Sequence, residues 1–528
     1  MNNSKQTSFL IKSWSVVAVL SILCYSALLT NFIWGNHDWS WIKEYTPLLS
    51  GLFEGRFTQF ILPNLLFSGN ILPIFSAAGG LLLYSLAAVL LLKLWQTPEQ
   101  KSYYILLALN IVIAPYTLSW FYFSFLTLSC LSWPFFTILG FISLNHQTKY
   151  HTNILLATIL FILTLGGYPP AINMIGTIFF TLILQDLCLK GLTPKSLIKK
   201  YVPHIISLLC AIFIWLFILY LLKKYNFQQD TYNTASIDLS NLPQKIYFCL
   251  KAALQQFTTT TSFISYFYKY ISLCLVLAAF IELFINLPKK TSSICFFAIS
   301  VLGLLLASVT TLLVAQNTAY VLNEPRIEFF SLPYIYAFSG FVLLNKKNHF
   351  IQNLTITLLC LIILHHINTT AYASKIWLLG FKAENTYAER FISRLEEHTS
   401  FKPQTNQYTF IQGGTLNFRK NYYIPQKDEK TDSYTLTAPY IPWHLPYKAY
   451  TFYYPYVFVA QDFDIYWSFV PPNAFDLTPN VIKYITNSAR PWPNKNATYI
   501  SPSLIILTLT SEGQWNAQNW LQNNFEIN

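Results

Sequence analysis

Asp38, Glu44 and Arg56 fall within one short stretch between two apolar runs, and no other part of the chain is so well equipped for chemistry. The stretch 35–70 opens Gly35-Asn-His-Asp-Trp-Ser-Trp-Ile-Lys-Glu44, directly after an apolar run ending near Trp34. It carries Gly55-Arg56 further on and turns apolar again at Ile71. Carboxylates beside hydrocarbon are costly unless they bind or react with something. A carboxylate can take up a proton and a guanidinium can hold an anion. With His37 and Lys43 beside the acids, this loop is the candidate active site.

The rest of the chain must place that loop at a membrane surface. Of 528 residues, 54% are hydrophobic, 17% aromatic and only 11% charged, where a soluble domain carries about 25% charged residues. Mean hydropathy is +0.39. This composition is that of an integral membrane protein. A net charge of +12 would point to nucleic acid in a soluble chain, but here the lysines sit in short loops between apolar runs, where they set orientation. No basic, aromatic-interleaved patch is present. The eight cysteines lie in or beside apolar runs and show no metal spacing or disulfide framework.

The apolar runs predict about eleven spans, near 14–34, 71–94, 103–122, 125–144, 153–167, 171–187, 202–222, 271–287, 293–315, 330–345 and 349–367. The first is too long for a cleaved signal and no small-residue cleavage site follows it, so it reads as a retained helix. With the N-terminus in the cytoplasm, the inner loops hold Lys93 and Lys101, Lys149, Lys190 to Lys200, Lys289 and Lys290, and Lys346 and Lys347. Positive-inside bias therefore places the loop 35–70 and the C-terminus outside. The chain divides into a transmembrane region, 1–368, and a soluble tail, 369–528, which has no run long enough to span. In the tail, Glu384 to His398 has apolar residues at helical spacing, while Tyr408 to Gly414, Ala449 to Val470 and Leu504 to Leu509 read as strands. A mixed α/β domain outside the membrane is the expectation.

One membrane span, an acidic motif early in an external loop, a Gly-Arg beyond it, many further spans and a soluble tail together resemble the polytopic glycosyltransferases of GT-C type. Within that class the chain resembles the serotype-converting O-antigen glucosyltransferases of Gtr type II. The matching residues are Asn36-His-Asp38, Gly55-Arg56, Gly167-Tyr168-Pro169-Pro170, Pro325-Arg326 and Phe410-Ile-Gln-Gly-Gly414. His37 stands where that family carries its first acidic residue.

The resemblance implies transfer of a sugar, glucose, from a polyprenyl-phosphate donor to a lipid-linked or surface glycan such as O-antigen. The face would be the periplasmic one of a bacterial inner membrane, with no cofactor, no metal and no nucleic acid. A small flippase and a polyprenyl-phosphate sugar synthase are the implied pathway partners. An acceptor hydroxyl loses a proton as it attacks, so Asp38, with Glu44 beside it, would serve as general base. The leaving phosphate is stable as an anion, so Arg56 and Arg326 would bind it rather than protonate it. His37 and Tyr168 would line the substrate. With one clearly placed carboxylate, a single inverting displacement is favoured over a double one.

Each residue also has a plainer reading. Asn36 and Asp38 are both preferred helix caps, and Glu44 can pair with Lys43. His37 can be a wet interfacial histidine, and Arg56 can snorkel to the interface. Arg326 has Glu324 and Glu328 as local partners, and Gly166-Gly-Tyr-Pro-Pro170 can be a tight turn. A polytopic lipid or glycan flippase or transporter is the competing class. Such proteins place polar, broken helices at mid-membrane, whereas the ionisable groups here concentrate at the outer interface.

Overall fold

The computed structural model describes residues 3–31, 51–52, 55–68, 70, 72–98, 100–121, 126–145, 150–227, 242–258, 265–314, 325–403, 405–406, 408–413, 467–469, 478–491 and 493–508. Among the described residues the chain forms two compact units, the first reaching to Tyr372 and the second starting at Ala373.

The first unit is a helical bundle. Among the described residues, seven helices are long and apolar enough to cross a membrane: Lys5–Cys24, Pro73–Leu94, Thr127–Leu144, Pro169–Leu189, Pro194–Lys224, Tyr266–Ile285 and His349–Lys375. A bent pair, Lys101–Val112 and Pro115–Phe121, passes the same test as one broken span with a 42° bend. The apolar helices His151–Gly167, Thr291–Ala307 and Leu332–Leu344 are shorter. Leu332–Leu344 is buried along its whole length, and at 1.5 Å per residue it rises only about 20 Å.

Three expected boundaries move. The first helix covers Asn3–Cys24, earlier than the apolar run suggests, and breaks at Tyr25 (φ −96°, ψ 9°) before a short helix Ser26–Thr30. The helix expected from 271 starts at Tyr266, because the Ser265 hydroxyl caps it by accepting from the Tyr268 amide at 3.2 Å. The final span and the amphipathic segment of the tail are one uninterrupted helix, His349–Glu396.

Small residues let the bundle close. A Cβ on Gly80 would sit 2.9 Å from the Thr127 carbonyl oxygen, so helices 73–94 and 127–144 approach backbone to backbone, as small residues permit in membranes. At the same contact the Ser76 hydroxyl accepts from the Leu128 amide at 3.0 Å, satisfying one of the amides that a helix start leaves without a partner.

The helix ends segregate two sets of polar groups. At one end Asp186, on a π-helical turn Gln185–Leu189, accepts from Lys190 (2.7 Å), Lys200 and the Tyr201 hydroxyl (2.8 Å). Glu282 pairs there with Lys346 and accepts from Asn286 at 2.8 Å. The opposite ends of the same helices carry Asn173 and Lys269, and these belong to the site described below.

The second unit contains a four-stranded sheet of order β2-β1-β4-β3, with β1 Tyr408–Gly413, β2 Trp467–Phe469, β3 Thr498–Ile500 and β4 Leu504–Thr508. β1 lies parallel to both β2 and β4, and β3 is antiparallel to β4. Val481, Tyr484 and Ile485, on the helical stretch that begins at Pro479, pack on Leu504 and Ile506.

Candidate active site

The segment 325–330 is the hinge of the site. Pro325–Glu328 makes a single helical turn, far too short to be stable alone, so its orientation depends on what its side chains touch. Residues two apart on a helix do not face one another. Accordingly Glu328 does not close the local salt bridge that its spacing from Arg326 suggests in the sequence. It meets Lys269 instead, with Oε1 3.3 Å from Nζ. Lys269 is fully buried, Glu328 is 4% exposed and Arg326 6% exposed. Burial pushes the Glu328 carboxyl above its ordinary range, and the Lys269 ammonium opposes that rise.

Lys269 also donates to the Gln256 carbonyl oxygen at 2.6 Å and lies 5.5 Å from the centre of the Tyr116 ring. Gln256 in turn donates from its side chain to the Ser308 hydroxyl at 2.6 Å. Asn173 donates to the Ser308 carbonyl at 3.1 Å and accepts from the amide and hydroxyl of Thr311 at 3.0 Å each. Tyr116, Tyr268 and Tyr336 lie within electrostatic range of the Glu328 carboxylate. Among the described residues the Tyr116 hydroxyl faces those of Tyr268 and Tyr336.

Phe329 and Phe330 carry the segment into an aromatic cluster. Phe329 packs on Tyr84 (5.3 Å between centroids) and Trp120 (5.7 Å), and Phe330 on Trp120 (5.7 Å) and Tyr168 (5.8 Å). Tyr168 stacks on Trp133 at 5.6 Å with the planes 4° apart, and meets Trp120 edge-on at 5.3 Å. Gly167 allows this stack, since a Cβ there would lie 2.1 Å from the Trp133 Nε1.

Arg56 enters the same cluster from the loop. Gly55 takes a left-handed conformation, φ +71°, which glycine adopts at no steric cost. The turn closes as the Arg56 amide donates to the Gly51 carbonyl at 2.7 Å. Thr58 then ties the loop to the end of the helix His151–Gly167, its amide donating to the Gly166 carbonyl (3.1 Å) and its hydroxyl to that of Leu163 (2.7 Å). The Arg56 guanidinium is thereby held 5.1 Å from the centre of the Tyr168 ring. Arg56 and Arg326 both lie within electrostatic reach of the buried Cys130.

Of the residues singled out in the sequence, the fold sets Arg56 against the Tyr168 ring and leaves Arg326 within electrostatic reach of the Cys130 that Arg56 also reaches, while Asp38, Glu44 and His37 lie outside the described residues. Tyr168 is 7% exposed, its ring engaged by three aromatic neighbours and a guanidinium. The Arg56 guanidinium lies against this ring. Arg326 is buried by the protein around it. Sequence reasoning missed Lys269, Gln256 and Asn173. The signal for Lys269 was a cation in the first turn of an apolar helix, the kind of residue that membrane burial makes expensive. Among the described residues no group of three or more His, Cys, Asp or Glu could hold a metal ion. Chemically, guanidinium groups such as these can bind a phosphate through charge-assisted bonds. A family model described as glucosyl transferase GtrII matches residues 36–344. Neither a curated protein nor a solved structure matches the chain.

Proposed function

The chain belongs to the glucosyl transferase GtrII family, and on that premise we propose that it transfers glucose from a polyprenyl-phosphate donor to a lipid-linked or surface glycan. The reaction takes place on the periplasmic face of a bacterial inner membrane. The observation that carries this reading is that Arg56, seated on the Tyr168 ring, and the buried Arg326 both lie within electrostatic reach of Cys130. A polyprenyl phosphate offers a single charge at the end of an apolar tail, and a half-buried arginine on an aromatic ring together with a buried one suits that combination.

In this reading the guanidinium groups hold the departing phosphate, whose stability as an anion removes the need for a strong acid. Asp38 takes the proton of the attacking hydroxyl, Glu44 is the second carboxylate of the loop, and His37 lines the acceptor side. One displacement then inverts the anomeric carbon. The architecture is GT-C-like, with the bent pair and the three shorter helices crossing alongside the seven longer ones, eleven spans in all. The Lys190, Lys200 and Lys346 end of the bundle faces the cytoplasm, in keeping with positive-inside bias. The domain 369–528 lies in the periplasm beside the acceptor.

The test is reconstitution of the purified protein in vesicles with polyprenyl-phosphate glucose and a lipid-linked glycan. Glycans of a host with and without the protein are analysed alongside. The expected result is a new side-branch hexose in both. Movement of the lipid across the bilayer with no hexose transferred would instead make the chain a flippase.

A further inference from the structure

We infer that the buried Lys269–Glu328 pair is a positioning device that fixes the direction of Arg326 toward the donor phosphate. The inference rests on the reading above, in which Arg326 binds that phosphate.

Pro325–Glu328 is a single turn, joined to the helix that follows by the Phe330 and Ser331 amides, which donate to the Ile327 and Glu328 carbonyls at 3.1 Å each; side-chain contacts must oppose any remaining rotation about its axis. Two anchors resist it. The Phe329 and Phe330 rings are wedged among Tyr84, Trp120, Trp133 and Tyr168, which fixes the end of the turn. Glu328 on Lys269 fixes the side of the turn. Because positions two apart do not share a helix face, holding Glu328 against Lys269 directs Arg326 away from them. Arg326, like Arg56, lies within electrostatic reach of the buried Cys130. Lys269 is suited to this task because, besides the turn 325–328, two other segments meet it on its helix, through the Gln256 carbonyl that closes the preceding helix and the Tyr116 ring in the bend of the broken span. An ammonium at 0% exposure is expensive to bury, and here it is compensated by a carboxylate, a carbonyl and a ring face.

Breaking such a pair by changing one partner leaves an uncompensated buried charge, so the singles Lys269→Gln and Glu328→Gln should fall below native abundance in the membrane. The double variant Lys269→Gln/Glu328→Gln leaves neither charge of the pair and is the main probe. It is assayed with polyprenyl-phosphate glucose in vesicles, alone and combined with Arg326→Ala, with kcat and the donor KM determined separately. A misdirected guanidinium weakens donor binding, so the double variant should raise donor KM about ten-fold, the worth of one charge-assisted bond, with kcat changed less than about three-fold. In the Arg326→Ala background the same two changes should add nothing to donor KM, since the group they position is gone. A merely structural pair would lower thermal stability equally in both backgrounds and leave donor KM alone, and that outcome overturns the inference. So does failure of the double variant to accumulate. If Arg326→Ala by itself leaves donor KM native, the phosphate role of Arg326 is what fails. If it raises donor KM while the pair variants do not, only the positioning role fails.

Discussion

Replacing Tyr168 separates a ring that positions Arg56 from a residue that merely fills space. Tyr168→Phe keeps the ring and with it the stack on Trp133, the edge contact with Trp120, the contact with Phe330 and the seat of the Arg56 guanidinium. Tyr168→Leu removes all four. Aromatic pairs contribute about 0.5–1.5 kcal/mol each beyond their buried area, and a cation over a ring about 0.5–2 kcal/mol. Neighbouring contacts are not additive, so the loss in stability on going from Phe to Leu should be about 3 kcal/mol rather than the full sum. The share that falls on Arg56 is the cation–ring contact, about 1 kcal/mol, which corresponds to about a five-fold weakening of donor binding. The assay is transfer from polyprenyl-phosphate glucose in vesicles at several donor concentrations, with thermal denaturation of the same preparations. The reasoning predicts an order, native, then Phe, then Leu, in both donor KM and midpoint. A Leu variant as stable and as avid for donor as the Phe variant would refute it.

The remaining predictions concern other parts of the site and bundle. Gly167→Ala places a methyl 2.1 Å from the Trp133 Nε1, and overpacking of this kind costs about 1–3 kcal/mol; an unchanged midpoint in thermal denaturation would show that the indole moves freely. Asp38→Asn preserves shape but not basicity, so transfer should fall about 10²–10⁴-fold at unchanged membrane abundance; near-native turnover would favour the helix-cap reading of Asp38. Asp186→Asn removes the carboxylate shared by Lys190, Lys200 and Tyr201. Both lysines can reach water, so the loss should be about 3 kcal/mol or less, seen as a lower midpoint with native transfer per folded molecule. Reporters fused after Asn528 and after Lys200 should be active outside and inside the cytoplasm respectively, and a C-terminal fusion active inside would remove the tail from the reaction.

Local pattern reveals what local physics decides. Helices 73–94 and 127–144 lie within two residues of the runs marked by apolar content at 71–94 and 125–144, because the bilayer demands length and hydrophobicity of each span independently. Boundaries fail where a helix outlasts the hydrocarbon. The first helix extends back through Lys5 and Lys12 to Asn3, and the helix from His349 runs on to Glu396 although its apolar content drops after Asn368. A fall in hydropathy ends a span but does not end a helix. Only Pro or a run of poor helix formers would, and 349–396 contains no proline and one glycine, Gly380, which costs about 1 kcal/mol.

Candidate residues were legible one at a time and their partners were not. Arg326 has acids two residues away on either side in the sequence, and the local reading offers both. Glu324 lies outside the described residues. For Glu328 the backbone forbids the pair, because the turn that begins at Pro325 sends the two side chains to different faces. The partner Glu328 takes is 59 residues away, and nothing within reach of a helical period points to it. Lys269 is concealed for a related reason. Set among Tyr266-Phe-Tyr and Tyr270-Ile-Ser, one cation barely lowers the average of an apolar window and reads as the end of a loop. The Ser265 cap moves the helix start back far enough to put it inside. Once it is inside, a full charge must find a counter-charge, and the buried acid it meets among the described residues is the one that does not share a helix face with Arg326. Burial of a cation at a helix start is thus the reason that the turn carrying Arg326 has a fixed direction, and the two features have to be read together.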